Sequence, residues 1–105
     1  MALIVIVAYK PKTGKNEALK QLMKTHIPIL KKEGLVTERD SIIMEAADGT
    51  IVEVFEWLSE EAVQQAHKNP EVLKMWAAYF EVCEVIPLNT LNEANMMFAS
   101  FIPFN

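Results

Sequence analysis

Residues 40–58 read Asp-Ser-Ile-Ile-Met-Glu-Ala-Ala-Asp-Gly-Thr-Ile-Val-Glu-Val-Phe-Glu-Trp-Leu. Two β-rich runs, 40–47 and 50–58, flank Asp48-Gly49, a dipeptide that makes a tight hairpin because glycine accepts positive φ. Upstream, residues 2–10 (Ala-Leu-Ile-Val-Ile-Val-Ala-Tyr-Lys) form another strand, apolar on both alternating faces. Thr13-Gly14 then opens a helix carried by Glu17 to Glu33. Its apolar stripe is Leu19, Leu22, Met23, His26 and Leu30, with Gly34 as the stop. Pro28 should kink this helix. Downstream, Ser59 caps a short helix. Asn69-Pro70 starts another running to about Cys83, with Val72, Leu73, Trp76, Ala77 and Phe80 on one stripe. Residues 84–89 form a fourth strand, confined to an edge by Pro87, and Met96 to Phe104 a strand-like tail.

The order β-α-β-β-α-β predicts an α+β fold, the ferredoxin-like sandwich with an antiparallel sheet, as one domain over 1–105. The first and third strands are central, the second and fourth are edges. Alternation separates Ile4, Ile6, Ala8, Val52, Val54 and Glu56 from Leu3, Val5, Val7, Tyr9, Ile51, Glu53, Phe55 and Trp57. With the helices over the first set, the second faces away and leaves a large apolar surface. Exposing such side chains forfeits about 1.5–3 kcal/mol each. The expectation is therefore a homodimer, with segment 96–104 contributing, by pairing with a sheet edge.

Composition excludes several classes. The chain has 105 residues, 51% apolar and 23% charged, which excludes intrinsic disorder. The net charge of −4 argues against nucleic-acid and anionic-membrane partners. The run Met1–Tyr9 is too short to span a bilayer and lacks the flanks of a signal peptide. A single cysteine, Cys83, allows no intrachain disulfide and points to a reducing, cytoplasmic setting. No metal-binding pattern is present.

The opening strand followed by Lys12-Thr13-Gly14-Lys15, then Glu33-Gly34-Leu35, the run Val54 to Ala62, and the run Ala66 to Val72 resemble the dimeric α+β barrel superfamily, on the antibiotic-biosynthesis monooxygenase side. The resemblance covers nearly the whole chain. It implies a cavity between sheet and helices that takes small apolar, aromatic or quinone-like compounds. It also implies oxygenation in some relatives without metal, flavin or haem. In the quinone-forming relatives the third strand supplies a polar amide and, four positions on, a tryptophan; Glu53 and Trp57 stand there. A tyrosine and an arginine used in those relatives fall near Val63 and Ala77 and are missing. The haem-degrading set falls on Val7, His67 and Ala77, and none of it is kept.

Three polar side chains are candidates for chemistry. Glu53, flanked by Ile51, Phe55 and Trp57 on its face, is either a general base in an apolar pocket or half of an ion pair across the dimer, with Arg39 as partner. His67 is either a cavity base or a helix-end residue bonded to the last carbonyls. His26 either reaches the cavity mouth or satisfies a carbonyl freed by Pro28. Trp57, Tyr9, Val7, Phe55 and Trp76 are candidate walls, and Tyr79 and Phe80 could stack a flat ligand. Cys83, beside Glu81 and Glu84, reads as a small buried hydrophobe with a raised thiol pKa; Met96-Met97 reads as adaptable packing. Three functions fit: a small-molecule-binding protein acting as a cofactor-independent monooxygenase, a non-catalytic dimer whose cavity is filled by side chains, and a haem-binding protein.

Overall fold

A computed structural model describes residues 1–105. The elements are β1 (Leu3–Pro11), α1 (Asn16–Lys32), β2 (Ile42–Glu45), β3 (Ile51–Trp57), α2 (Glu60–Ala66), α3 (Pro70–Val82), β4 (Cys83–Ile86) and β5 (Ile102–Pro103); 3-10 turns lie at Leu88–Thr90 and Asn92–Asn95. The strands run antiparallel in the order β4-β1-β3-β2-β5. Without β5 this is the ferredoxin-like order, with β1 and β3 in the centre.

The helices cover the face opposite to the one expected. Tyr9, Ile51, Phe55 and Trp57 are buried against Leu19, Met23, Leu30, Val72 and Tyr79 in the main core. Alternation groups residues by face but is blind to which face a helix chooses. Aromatic side chains each bury about 150–250 Å², so the face that carries them gains more from a helical roof. Glu53 also requires this side, because its polar partners stand there.

The uncovered apolar surface therefore falls on the other set. Ala8, Ala46, Val52 and Leu91 form a small second core, roofed by the segment after β4. Next to it, Ile4, Ile6 and Ile42 stand bare, at 57%, 51% and 58% exposure.

The C-terminal tail departs from a continuous strand. Only Ile102 and Pro103 join the sheet, opposite Glu45 and Met44. Phe104 N donates to Ile43 O (2.8 Å), Ile43 N to Asn105 Oδ1 (3.0 Å), and Asn105 Nδ2 to Ser41 O (3.1 Å). β2 is thus no edge; the tail covers it. Met96 and Met97, expected as packing, are exposed at 57% and 92%. Pro28 stays within an unbroken α1. It lies on the solvent side, as does Lys24, whose carbonyl loses its helical donor, so water can serve that carbonyl.

The buried stripe of α3 is Val72, Met75 and Tyr79, rotated from the expected one. Leu73, Trp76 and Phe80 are displaced towards the rim of the layer. Asn69 fixes the start of this helix: its Oδ1 accepts from Glu71 N (2.9 Å) and Val72 N (3.1 Å). Its Nδ2 donates to Glu33 Oε1 (2.9 Å), tying α3 to the end of α1. Replacing Asn69 with alanine is expected to cost about 1 kcal/mol and to lower Tm by about 4–8 °C in a thermal melt followed by circular dichroism.

Candidate functional site

A cavity of about 530 Å³ opens between the sheet and the helices. β1 supplies Val5, Val7 and Tyr9, β3 supplies Phe55 and Trp57, and β4 supplies Val85. These are same-face positions, which the antiparallel register places side by side: Val5 opposite Phe55, and Tyr9 opposite Val85. α1 adds His26, α3 adds Leu73, Trp76, Tyr79 and Phe80, and His67 closes the end of α2. α3 buries Val72, Met75 and Tyr79, and Trp76 and Phe80 are left along the cavity wall. Ten of the twelve wall residues are hydrophobic, so a bound ligand would meet little competing water.

Of the residues marked in the sequence, Tyr9, Val7, Phe55, Trp57, Trp76, His26 and His67 all border this space. Glu53 stands behind it, fully buried at 0% exposure. The Tyr9 hydroxyl donates to Glu53 Oε1 at 3.0 Å. His26 Nδ1 lies 2.8 Å from the same oxygen, but the ring N–H is not aimed along that line, so the two atoms are close without a directed bond. Glu53 Oε2 has no partner. The partner considered for Glu53, Arg39, lies on the opposite face. Its Nε donates to Glu56 Oε1 at 3.1 Å, and Thr37 Oγ1 donates to the same oxygen at 2.8 Å. These bonds, Thr37's first, hold the Glu56 carboxyl below its usual range.

The His26 ring is wedged between aromatics. It meets Phe55 edge-on at 5.3 Å, Tyr79 at 5.7 Å and Tyr9 at 6.3 Å between ring centres. Tyr79 spends its hydroxyl on Leu22 O (2.8 Å), which pins α3 to α1 one turn before His26. His67 Nδ1 donates to Val63 O at 2.8 Å, the helix-end bond. Its ring also rests against Trp76, with centres 5.1 Å apart. In the neutral ring this bond leaves Nε2 as the lone-pair nitrogen.

Burial, followed by the negative charge of Glu53, pushes the Tyr9 phenol far up; the same causes raise that of Tyr79. Cys83 is buried at the start of β4, and its thiol donates to Tyr79 O at 3.2 Å. Burial is the main cause lifting it from the usual 9.0 to about 11. No cluster of three or more His, Cys, Asp or Glu side chains could hold a metal ion, and no helix is long and apolar enough to cross a membrane.

Val5, Leu73 and Val85 are wall residues that the sequence did not single out. Nothing in an aliphatic side chain separates a cavity wall from a core position. The Tyr9–Glu53 bond was also hidden, since it joins diagonal neighbours across a register known only once β1 and β3 pair.

No protein-family model and no curated protein matches this chain. Among solved structures, it is similar to Rv0793 from Mycobacterium tuberculosis, with a TM-score of 0.66 at 24% identity over 82% of this chain and 89% of that one. The likeness establishes the ferredoxin-like α+β fold.

The three raised groups set an alkaline limit. Each holds its proton more tightly folded than unfolded, so its contribution is complete below the unfolded pKa and declines as pH rises through the folded one. For Cys83 that window runs from 9.0 to about 11. Denaturant midpoints are expected to fall above pH 9. Cys83 should react with a thiol reagent at pH 8 only when the chain is unfolded.

Proposed function

We propose that this chain is a homodimer that binds a small apolar or aromatic, quinone-like molecule in the cavity and oxygenates it without a cofactor. The observation that carries the reading is the open, apolar space of about 530 Å³ with imidazole side chains in its wall. Its volume lies within the about 300–1,000 Å³ range of small-molecule sites. An open space of this size argues against a cavity filled by side chains. Cofactor-free oxygenation needs a group that takes a proton from the substrate and a pocket that keeps water from the resulting anion. His26 is the buried base within reach, His67 stands at the rim, and Trp57 and Trp76 are flat surfaces for a ring. The resemblance to antibiotic-biosynthesis monooxygenases supports the same chemistry. Haem binding is the weaker reading, because none of the haem-degrading positions is kept.

The dimer reading rests on Ile4, Ile6 and Ile42. Monomers rarely leave such a contiguous apolar patch wet. The accessible surface is 6705 Å², against about 6,000 Å² for a folded monomer of this mass.

Tricyclic hydroxyaromatics are expected to quench Trp57 and Trp76 fluorescence with micromolar Kd, and Trp57→Ala to weaken binding about tenfold or more. An oxygen electrode then separates oxygenation from binding alone: ligand-dependent oxygen uptake supports the enzyme, and binding without uptake reduces it to a carrier. Light scattering should give a dimer at micromolar concentration. Ile6→Glu should yield a folded monomer; a monomeric wild type would overturn the dimer.

A further inference from the structure

Glu53 is the most deeply buried ionisable side chain of the site, yet it does not reach the cavity. Tyr9 and His26 stand between it and the open space, and both touch that space. They also converge on one carboxylate atom. The Tyr9 hydroxyl is directed at Oε1, whereas His26 Nδ1 is close to Oε1 without a directed bond. The Oε2 atom beside it, equally buried, accepts nothing. A buried carboxylate kept in this state is not optimised for stability alone, since each unmet acceptor costs about 1–3 kcal/mol.

The imidazole has a fixed direction. Nδ1 faces Glu53, and Phe55 and Tyr79 hold the ring edge-on. Nε2, on the other side of the ring, has no partner in the chain and is not sealed from the cavity. The ionisable groups around this ring are Glu53 from β3, Tyr9 from β1, Tyr79 from α3 and, beside Tyr9, Cys83. No lysine or arginine borders the cavity.

We infer that Glu53 is a positioning residue that holds its carboxylate against His26 Nδ1, so that Nε2 takes the proton of an acidic hydroxyl on a ligand, with Tyr9 and His26 sharing Glu53 Oε1. In that step the ligand O–H bond breaks and an Nε2–H bond forms. The ligand is left as an oxyanion and the ring as an imidazolium, with Nδ1 2.8 Å from Glu53 Oε1. The imidazolium then faces the Glu53 carboxylate as its counter-charge, while the Tyr9 hydroxyl stays on Oε1 and competes for it. The cavity thereby selects molecules with one acidic hydroxyl on an apolar body over the same body without it. This rests on the cavity being a ligand site, so the test separates the two ideas.

The probes are 2-naphthol and naphthalene, added to the intact protein at neutral pH, where free 2-naphthol is un-ionised. The absorption of bound 2-naphthol reports its state, since the naphtholate absorbs at longer wavelength. Wild type is expected to bind both probes and to show the naphtholate band only with 2-naphthol. Glu53→Gln, which keeps the volume and removes the charge, should still bind naphthalene and lose about tenfold or more of the band, in line with removal of a paired charge. His26→Gln should abolish the band. Tyr9→Phe should keep or strengthen it, because Oε1 is then left to His26 alone; a loss there would assign the effect to Tyr9 and overturn the inference. A wild type that binds 2-naphthol only in neutral form overturns it while leaving the cavity reading intact, as does an unchanged band in a folded Glu53→Gln. If neither probe binds, the cavity reading fails and this inference with it. Should Glu53→Gln not fold, the wild-type spectrum with His26→Gln and Tyr9→Phe still decides.

Discussion

A carboxylate sealed inside a small protein has to be met by donors from its own chain, and in this fold that requirement falls on Glu53. Its strand is central, its face is the one under the helices, and no water-facing route remains open to it. The Tyr9 hydroxyl from β1 and the His26 imidazole from α1 meet it at 3.0 and 2.8 Å. Leaving such a buried group without its partner costs about 1–3 kcal/mol. The contact therefore couples the register of β1 on β3 with the rotation of α1. The placement of α3 follows, since Tyr79 packs on His26 and bonds Leu22 O.

This arrangement also shapes the cavity. With Glu53 held behind Tyr9 and His26, polar groups occur only at the base and the rim, and aromatic and aliphatic walls fill the rest. The opposite face of the same sheet has no polar demand of this kind. It is closed on one half by Leu91 and its neighbours and left apolar on the other, at Ile4, Ile6 and Ile42. One sheet thus has two unlike sides: one bordering an open apolar cavity under the helices, and one left apolar and bare at Ile4, Ile6 and Ile42.

Much of the architecture is legible residue by residue. The Asp48-Gly49 turn lies where the hairpin forms, with Gly49 at φ +93. Ser59 and Asn69 cap the helices that their neighbours suggest. Strand order follows from element order. The polar and aromatic side chains that border the cavity stand out in apolar strands and helices, whereas its aliphatic walls, Val5, Leu73 and Val85, do not. The division of labour among them was not legible. Glu53 and His26 are 27 positions apart, and nothing in either local pattern says that one would sit behind the other. The stripe of α3 was misjudged for a related reason. Val72, Leu73, Met75, Trp76, Tyr79 and Phe80 offer two overlapping apolar faces, and only packing against α1 picks one.

What the chain determined by itself is periodic and local: where strands and helices start, which residues share a face, and that both faces of the sheet are apolar. These follow from backbone geometry and short-range bonding, which act within a few residues. The tertiary structure decided which face the helices took, that the tail would cover β2 through Ile102 and Pro103, and that Tyr9 and His26 would meet on one oxygen of Glu53. Those outcomes compare the burial of whole surfaces and the pairing of distant polar groups. They are settled by sums over the assembled chain, which no local pattern contains.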